Sequence, residues 1–444
     1  MTSQTFSRAA GAFLLATAAT AVLAPAQAPN PAAAERKTTP GPGPGGVPQV
    51  TFFVHRLGTD HAEGVTTLDM NGDGYPDILS GAYWYENPGP NGGDPNSGEW
   101  KRHQYREAGI VGEFVSDCGE WTIDVNHDGL PDVVTAGWQT NGIWWYENPG
   151  KVGAEWKKHF ITDSYDTEGG LMADINGDGK PDLIFAHYGH MGLLWIDFSG
   201  PEPRVHHVGT REQDGHGVGV ADVDGDGKMD ILTPTGWFRQ VNEDEWEWHP
   251  DWQLGDAGFP IIGYDVNGDG KTDIIYGHGH SYGLYWLEQQ SAPKGGGAER
   301  WIKHTIDESY SQIHALKLVD IDGDGQMELL AGKRYRGHNG NDPGSYDPLV
   351  VYYYKIDRKT ATFTRYPISV NGTAGAGTQF VVEDMDGDGD LDIVTAGKSG
   401  VHFFENLTID RVPKAQREKE ILIDTNWPFP GEGSQVKQEE EPKK

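Results

Sequence analysis

Short runs of apolar and aromatic residues recur along the chain, each cut off by a turn rich in Gly, Asp and Asn. Runs of this length with turn-forming residues at both ends read as β-strands rather than helices. The turns follow a rule. One nine-residue pattern returns seven times, starting at Asp69 (DMNGDGYPD), Asp124 (DVNHDGLPD), Asp174 (DINGDGKPD), Asp222 (DVDGDGKMD), Asp265 (DVNGDGKTD), Asp320 (DIDGDGQME) and Asp384 (DMDGDGDLD). Successive copies start 43 to 64 residues apart. A period of that size suits one four-stranded propeller blade with loops of varying length. The expected fold is all-β, a seven-bladed β-propeller with one such loop per blade.

A second pattern runs upstream of each loop: a large residue, two others, then in most copies His. The pairs are Phe52 and His55, Trp100 and His103, Trp156 and His159, Arg204 and His207, Trp246 and His249, Trp301 and His304, and Phe363 and Tyr366. The pattern predicts the outer strand that ends each blade, and its recurrence in every blade gives these histidines a structural role. The first outer strand, at residues 51–56, precedes the first inner strand. It is therefore expected to complete the last blade, beside residues 380–382, 393–396 and 402–405, and so to close the ring and remove its exposed edges.

Each loop sets oxygen side chains at its first, third and fifth positions, Gly at the sixth and a carboxylate at the ninth. The sets are Asp69, Asn71, Asp73 and Asp77; Asp124, Asn126, Asp128 and Asp132; Asp174, Asn176, Asp178 and Asp182; Asp222, Asp224, Asp226 and Asp230; Asp265, Asn267, Asp269 and Asp273; Asp320, Asp322, Asp324 and Glu328; and Asp384, Asp386, Asp388 and Asp392. A hard-oxygen cage wrapped by a Gly turn is what Ca²⁺ requires, as in the first half of an EF-hand loop. The absence of Cys and His at these positions argues against zinc. Up to seven structural Ca²⁺ are expected. They also account for much of the charge: the formal net charge is −32, and these positions hold 24 carboxylates. Such acidity disfavours nucleic acid as a partner.

The ends read as processing and linker segments. Arg8, the apolar run 9–24 and Ala26-Gln27-Ala28 form a secretory signal with its cleavage site, so residues 1–28 are expected to be removed. Residues 29–48 are a Pro/Ala/Gly-rich linker, 49–412 the propeller and 413–444 a charged tail. The expected product is secreted or periplasmic, monomeric and not inserted in a membrane. Cys118 is the single cysteine, so no intramolecular disulfide forms.

The seven loops resemble those of FG-GAP and VCBS-type repeats and of integrin α-chain propellers. The stretches from Asp214 (DGHG), Leu232 (LTPTGWF), Gly283 (GLYWLE) and Gly332 (GKRY) resemble the propeller domain of aldos-2-ulose dehydratase-like sugar lyases. That resemblance implies a metal-using enzyme that removes water from keto-sugars. The cupin domains of that family have no counterpart here, and no catalytic role is carried over from it.

The repeat also locates a site. Six residues before each loop stand Glu63, Cys118, Glu168, His216, Phe259, His314 and Thr378. Inner strands run along the propeller axis, so these side chains are expected to ring one mouth of the channel, opposite the acidic loops. Glu63, Glu168, His216 and His314 form a candidate second metal site that contains nitrogen. Thirteen and fourteen residues after each loop begins, the repeat varies toward reactive groups, among them His187, His278, Lys333 and Arg334, with His190, His280, Tyr335 and His338 close by. The candidate catalytic residues are His187, His216, His278, His314, Lys333, Arg334 and Tyr335, suited to taking a proton from carbon beside a carbonyl and stabilising the enolate. Trp138, Tyr83 and Tyr188 are candidate platforms for sugar rings. The expected function is a carbohydrate-active lyase or dehydratase that performs β-elimination on a keto-sugar or uronic-acid-containing glycoside. The alternative is a non-catalytic, calcium-dependent binding or adhesion propeller.

Overall fold

The computed structural model describes residues 50–408 except 90–97, 112–113, 139, 165, 187–191 and 291–299. The signal, linker and tail expected at 1–28, 29–48 and 413–444 lie outside the described residues, as do His187, Tyr188 and His190. The described residues form seven four-stranded antiparallel sheets and one two-stranded hairpin. The sheets are the blades of a β-propeller. Blade three shows the plan: an inner strand Gly170–Ala173, the acidic loop, then Asp182–Phe185, Leu193–Asp197 and the outer strand Arg204–Val208. Blades one, two, four, five and six span residues 66–104, 119–162, 219–249, 262–311 and 313–372. Blade seven joins Phe380–Glu383, Asp392–Gly397 and Gly400–Asn406 to the N-terminal strand Phe52–Gly58, which lies antiparallel to Gly400–Asn406 with Phe52 opposite Asn406.

The apolar core lies between blades. Each cluster takes residues from two consecutive blades: Leu79 and Trp84 meet Val133 and Tyr146, and Trp195 meets Ile231 and Phe238. One cluster joins blade seven to blade one, with Val394 and Phe403 against Ile78 and Tyr85. Strands of alternating side chains bury both faces here because every blade is covered on both sides.

The acidic loops share one geometry. In blade one, Asp69 Oδ1 accepts from the amides of Gly72 and Asp73 at 2.8 and 3.1 Å, and Oδ2 accepts from Gly74 at 2.9 Å. Gly74 sits at φ +90°, which a residue with a Cβ rarely adopts. The ninth-position carboxylate is fully buried and ties the loop to the strands behind it. Asp77 accepts from the amides of Met70 and Asn87 at 2.8 and 2.7 Å. Asp132, Asp230, Asp273 and Asp392 repeat both bonds, and Asp182 and Glu328 repeat the first. Burial pushes these carboxyls up, against their backbone hydrogen bonds: to about 7 for Asp77 and Asp182, about 6 for Asp132, Asp230 and Asp273, and about 8 for Glu328 and Asp392.

A side-chain amide at the end of the third strand then reaches the preceding blade. Asn87 donates to the Met385 carbonyl, Gln240 to Ile175, Gln289 to Val223 and Asn406 to Ile321. Each acceptor is the second residue of a neighbouring acidic loop, so loop order and blade packing are coupled.

The outer-strand histidines stack on an aromatic ring of the third strand. His103 lies 4.2 Å from Trp84, His159 4.2 Å from Trp145, His249 4.4 Å from Trp237 and His304 4.4 Å from Trp286, centroid to centroid. In blade three the stacked residue is His206, on Trp195, rather than His207. The register there sets Trp195 opposite His206, so the pairing of Arg204 with His207 is one residue out.

Candidate functional site

The seven positions six residues before the loops are all buried: Glu63, Cys118, Glu168, His216, Phe259, His314 and Thr378. At their centre stands Arg334, 3 % exposed. It donates to Glu63 through Nε at 3.0 Å and through Nη2, and to Glu168 through Nη1, and Nη1 lies 3.0 Å from His314 Nε2. Lys398 adds a second cation 3.6 Å from Glu63. Burial alone would raise both carboxyls. Arg334, helped by Lys398 at Glu63 and by His216 at Glu168, holds them below the usual carboxylate range.

The remaining ring members pack round this core. Cys118 Sγ lies 3.9 Å from Glu63, and burial pushes its thiol far up, so it is an inert small residue rather than a nucleophile. Thr378 donates to the carbonyls of Glu63 and Cys118, and Phe259 packs 5.4 Å from the His216 ring. Glu120 is drawn aside into a separate buried pair with Arg106.

Arg334 clasps Glu63 through two nitrogens, and the potential ligand atoms that lie together here are those of Glu168, His216 and His314 with His280. Ligand atoms of Glu168, His216, His280 and His314 all lie within 4.8 Å of one another. The orientation of two of these rings follows from their partners. His216 Nδ1 lies 2.9 Å from the Ala257 carbonyl, which can only accept, so Nδ1 carries the proton. His280 Nδ1 lies 2.9 Å from Asp342 Oδ2 and is likewise the donor. Both Nε2 atoms therefore point inward, 3.0 Å apart, with Glu168 Oε2 2.7 Å from that of His216. Burial lowers His216, but Glu168 and the Ala257 carbonyl outweigh it and the net shift is upward. Burial, with His216 beside it, pulls His280 down to about 4. The two Nε2 atoms can share a proton, or both can face one divalent ion, with Ala257 and Asp342 fixing the rings from behind.

A cavity of about 280 Å³ opens on this cluster, with Trp138, Glu168, His216, Asp256, His280 and His338 in its walls. His338 stacks on His280 at 4.4 Å and sets Nδ1 2.8 Å from Asp342 Oδ1. Its Nε2 is thus the lone-pair nitrogen, on a half-exposed side chain. The other candidate catalytic residues lie off this wall. His278 packs on Tyr285 and lies 3.6 Å from Asp256, with burial lowering its pKa. Lys333 is wholly buried, 3.3 Å from Ser311 Oγ, and burial pulls it down to about 8. Tyr335 is half-buried near the Arg336 guanidinium, and Tyr83 lies under Arg102.

Arg334 is the electrostatic keystone of the ring. Replacing it with Met leaves Glu63 and Glu168 buried beside each other without their main counter-charge. The expected loss is about 3–5 kcal/mol in denaturant unfolding, since breaking one side of a buried pair strands the other. Adding Glu63→Gln and Glu168→Gln is expected to recover most of it. A single-variant loss below about 1 kcal/mol would contradict the assignment.

Three stretches match the model for the FG-GAP-like repeat: residues 124–185, 174–233 and 265–331. The chain thus carries FG-GAP-like repeats on a seven-bladed propeller. No curated protein sequence matches it. Among solved structures it is similar to an Agrocybe aegerita lectin that recognises non-reducing terminal N-acetylglucosamine, at 17 % identity over 80 % of this chain and 92 % of that one, TM-score 0.43. It is also similar to a V. cholerae biofilm matrix protein, at 12 % identity over 80 % and 91 %, TM-score 0.43. A Bacillus licheniformis rhamnogalacturonan lyase is similar at 15 % identity over 83 % and 74 %, TM-score 0.39. At these identities the likeness concerns fold alone.

Proposed function

We propose that this chain is a secreted or periplasmic carbohydrate-active lyase that performs β-elimination on a keto-sugar or uronic-acid-containing glycoside at the mouth of the propeller channel. The observation that carries the reading is a cavity lined by Trp138, Glu168, His216, His280 and His338, with Asp342 paired to His338 and His314 grouped with Glu168, His216 and His280. Trp138 offers a flat face for a sugar ring. His338 Nε2 takes the proton from the carbon beside the carbonyl, while Asp342 holds the opposite nitrogen and stabilises the imidazolium. The electron pair of that C–H bond becomes the new double bond as the β C–O bond breaks. The imidazolium returns its proton to the leaving oxygen. A divalent ion held by Glu168, His216, His280 and His314 would polarise the carbonyl or carboxylate and so acidify the C–H bond. Asp342 spans both histidines and holds their spacing. Incubation with uronate polysaccharides and keto-glycosides, read by the ultraviolet absorbance of an unsaturated product, tests the reading.

The acidic loops belong to the same proposal as Ca²⁺ sites. Five of the seven first-position aspartates already gather three backbone amides, and Asp124 and Asp320 gather two, the wrap that an oxygen cage needs. The strand Phe52–Gly58, paired with Gly400–Asn406, is the ring's closing element. Deleting residues 49–58 is expected to bare a strand edge and drive aggregation on size-exclusion chromatography, while deletion of 29–48 leaves the protein monomeric. A soluble, equally stable protein lacking 49–58 would refute closure.

A calcium-dependent binding propeller is the second reading. It is favoured by the burial of Lys333 and Arg334, which keeps these two strong cations out of the cavity. On that reading Trp138 and the histidines bind a sugar without cleaving it.

A further inference from the structure

We propose that the outer edge of blade three, where it meets blade four, carries a transition-metal site formed by Asp197, His206 and Glu243. The repeat itself supplies the comparison. In four blades the stacked outer-strand histidine sets Nε2 against a Glu side chain of the third strand: His103 to Glu86 at 2.8 Å, His159 to Glu147 at 2.9 Å, His304 to Glu288 at 2.8 Å and His55 to Glu405 at 2.9 Å. In those pairs the histidine Nε2 is taken up by the carboxylate.

Blade three departs from this in two ways. The acid at the equivalent position is Asp197, one methylene shorter than Glu. A second acid, Glu243, enters from the turn between the strands Gly236–Asn242 and Glu245–His249 of blade four. His206 stacks on Trp195 at 3.8 Å as its counterparts do, but its Nε2 is buried with no hydrogen-bond partner, in a residue 7 % exposed. It lies 3.6 Å from Glu243 Oε1, and ligand atoms of Asp197, His206 and Glu243 all fall within 4.8 Å of one another.

The protonation pattern suits a ligand. His206 Nδ1 lies 3.2 Å from Asp244 Oδ1, to which it donates, so Nε2 presents its lone pair inward. One imidazole and two carboxylates, with water in the fourth place, form a set that Zn²⁺ accepts and that neighbouring divalent metals share. The charge closes as well. Asp197, Glu243 and Asp244 bring three negative charges, and Arg204, bound to Glu243, returns one. A divalent ion neutralises the remainder and ties the two blades together. This site is independent of the channel cavity and of the lyase reading.

The test uses tag-free full-length protein held in excess Ca²⁺, so that the acidic loops are filled. Co²⁺ is titrated while the visible absorption of the bound ion is followed, and tightly bound Zn²⁺ is counted by mass spectrometry after gel filtration. Asp197→Glu rebuilds the closed pair seen in the other blades, and His206→Gln removes the nitrogen ligand. Any ion in the channel remains in all three proteins, so the difference isolates this site. Loss of one metal equivalent in either variant, or a fall in its affinity of at least about 100-fold, supports the site. Unchanged stoichiometry and affinity in both variants would overturn it, and would mean that Arg204 alone neutralises the cluster.

Discussion

Exhaustive chelation lowers the melting temperature by at least about 10 °C, and calcium restores it. Each filled loop contributes roughly 2.7 kcal/mol at a free ion concentration 100-fold above Kd. Two or three loops therefore supply about 5–8 kcal/mol, and a domain of this size shifts by about 2 °C per kcal/mol. Without ions, 24 carboxylates crowd the first, third, fifth and ninth positions of the loops, and like charges loosen what they surround. Because the loops are bonded to neighbouring blades through Asn87, Gln240, Gln289 and Asn406, loosening spreads to the blade interfaces.

The loss also depends on pH in a direction that the ninth-position carboxylates set. Their folded pKa values in the ion-free protein are raised to about 6–8, above those of an unfolded chain. The native state therefore holds more protons than the unfolded state between about pH 4 and pH 8, and stability of the ion-free protein falls as pH rises through that window. Ca²⁺ competes with those protons and binds more tightly at the upper end. The chelation effect is thus larger at pH 8 than at pH 5, measured by paired thermal scans. A melting curve unmoved by excess chelator at either pH would remove calcium from the account.

Much of the fold was legible because it repeats. Seven in-phase loops and seven upstream large residues, six of them aromatic, locate the strands without any need to judge a single short run. The ring six residues before the loops was legible for the same reason, since equivalent positions at the start of the inner strands are buried together. What the repeat could not convey lies where it varies. Asp342 and His338 sit in the long connection after the second strand of blade six, and nothing in their spacing says that they turn back to His280 in blade five. The clasp of Arg334 on Glu63 joins residues 271 positions apart. Only the three-dimensional ring brings the two together, and it turns an expected ligand into a counter-ion. The slip from His207 to His206 is of another kind. A spacing rule counts residues along one strand, whereas stacking on Trp195 is fixed by the register between two strands, and a one-residue shift reverses the face.

The channel mouth is where the second large effect is expected. If His338 is the base of a β-elimination, its removal withdraws the group that both takes and returns the proton, and general acid–base catalysis of this kind contributes about 10²–10⁴-fold. His338→Ala is therefore expected to lower kcat by that factor with KM little changed, because Trp138 and the cavity walls stay in place. The fold is expected to be unaffected, since the side chain is half-exposed and packs on His280 and Asp342. Trp138→Ala should do the reverse, raising KM by about 10-fold for a sugar stacking contact of about 1–1.5 kcal/mol. The opposed pattern separates chemistry from binding. The direct measurement is the ultraviolet absorbance of unsaturated product from a panel of uronate polysaccharides and keto-glycosides, with wild type and His338→Ala compared on each. The account predicts growth of the signal with the wild type on at least one member of the panel and its near-loss in the variant. Binding of a panel member to the cavity with no absorbance change in either protein would contradict the lyase and leave a sugar-binding propeller.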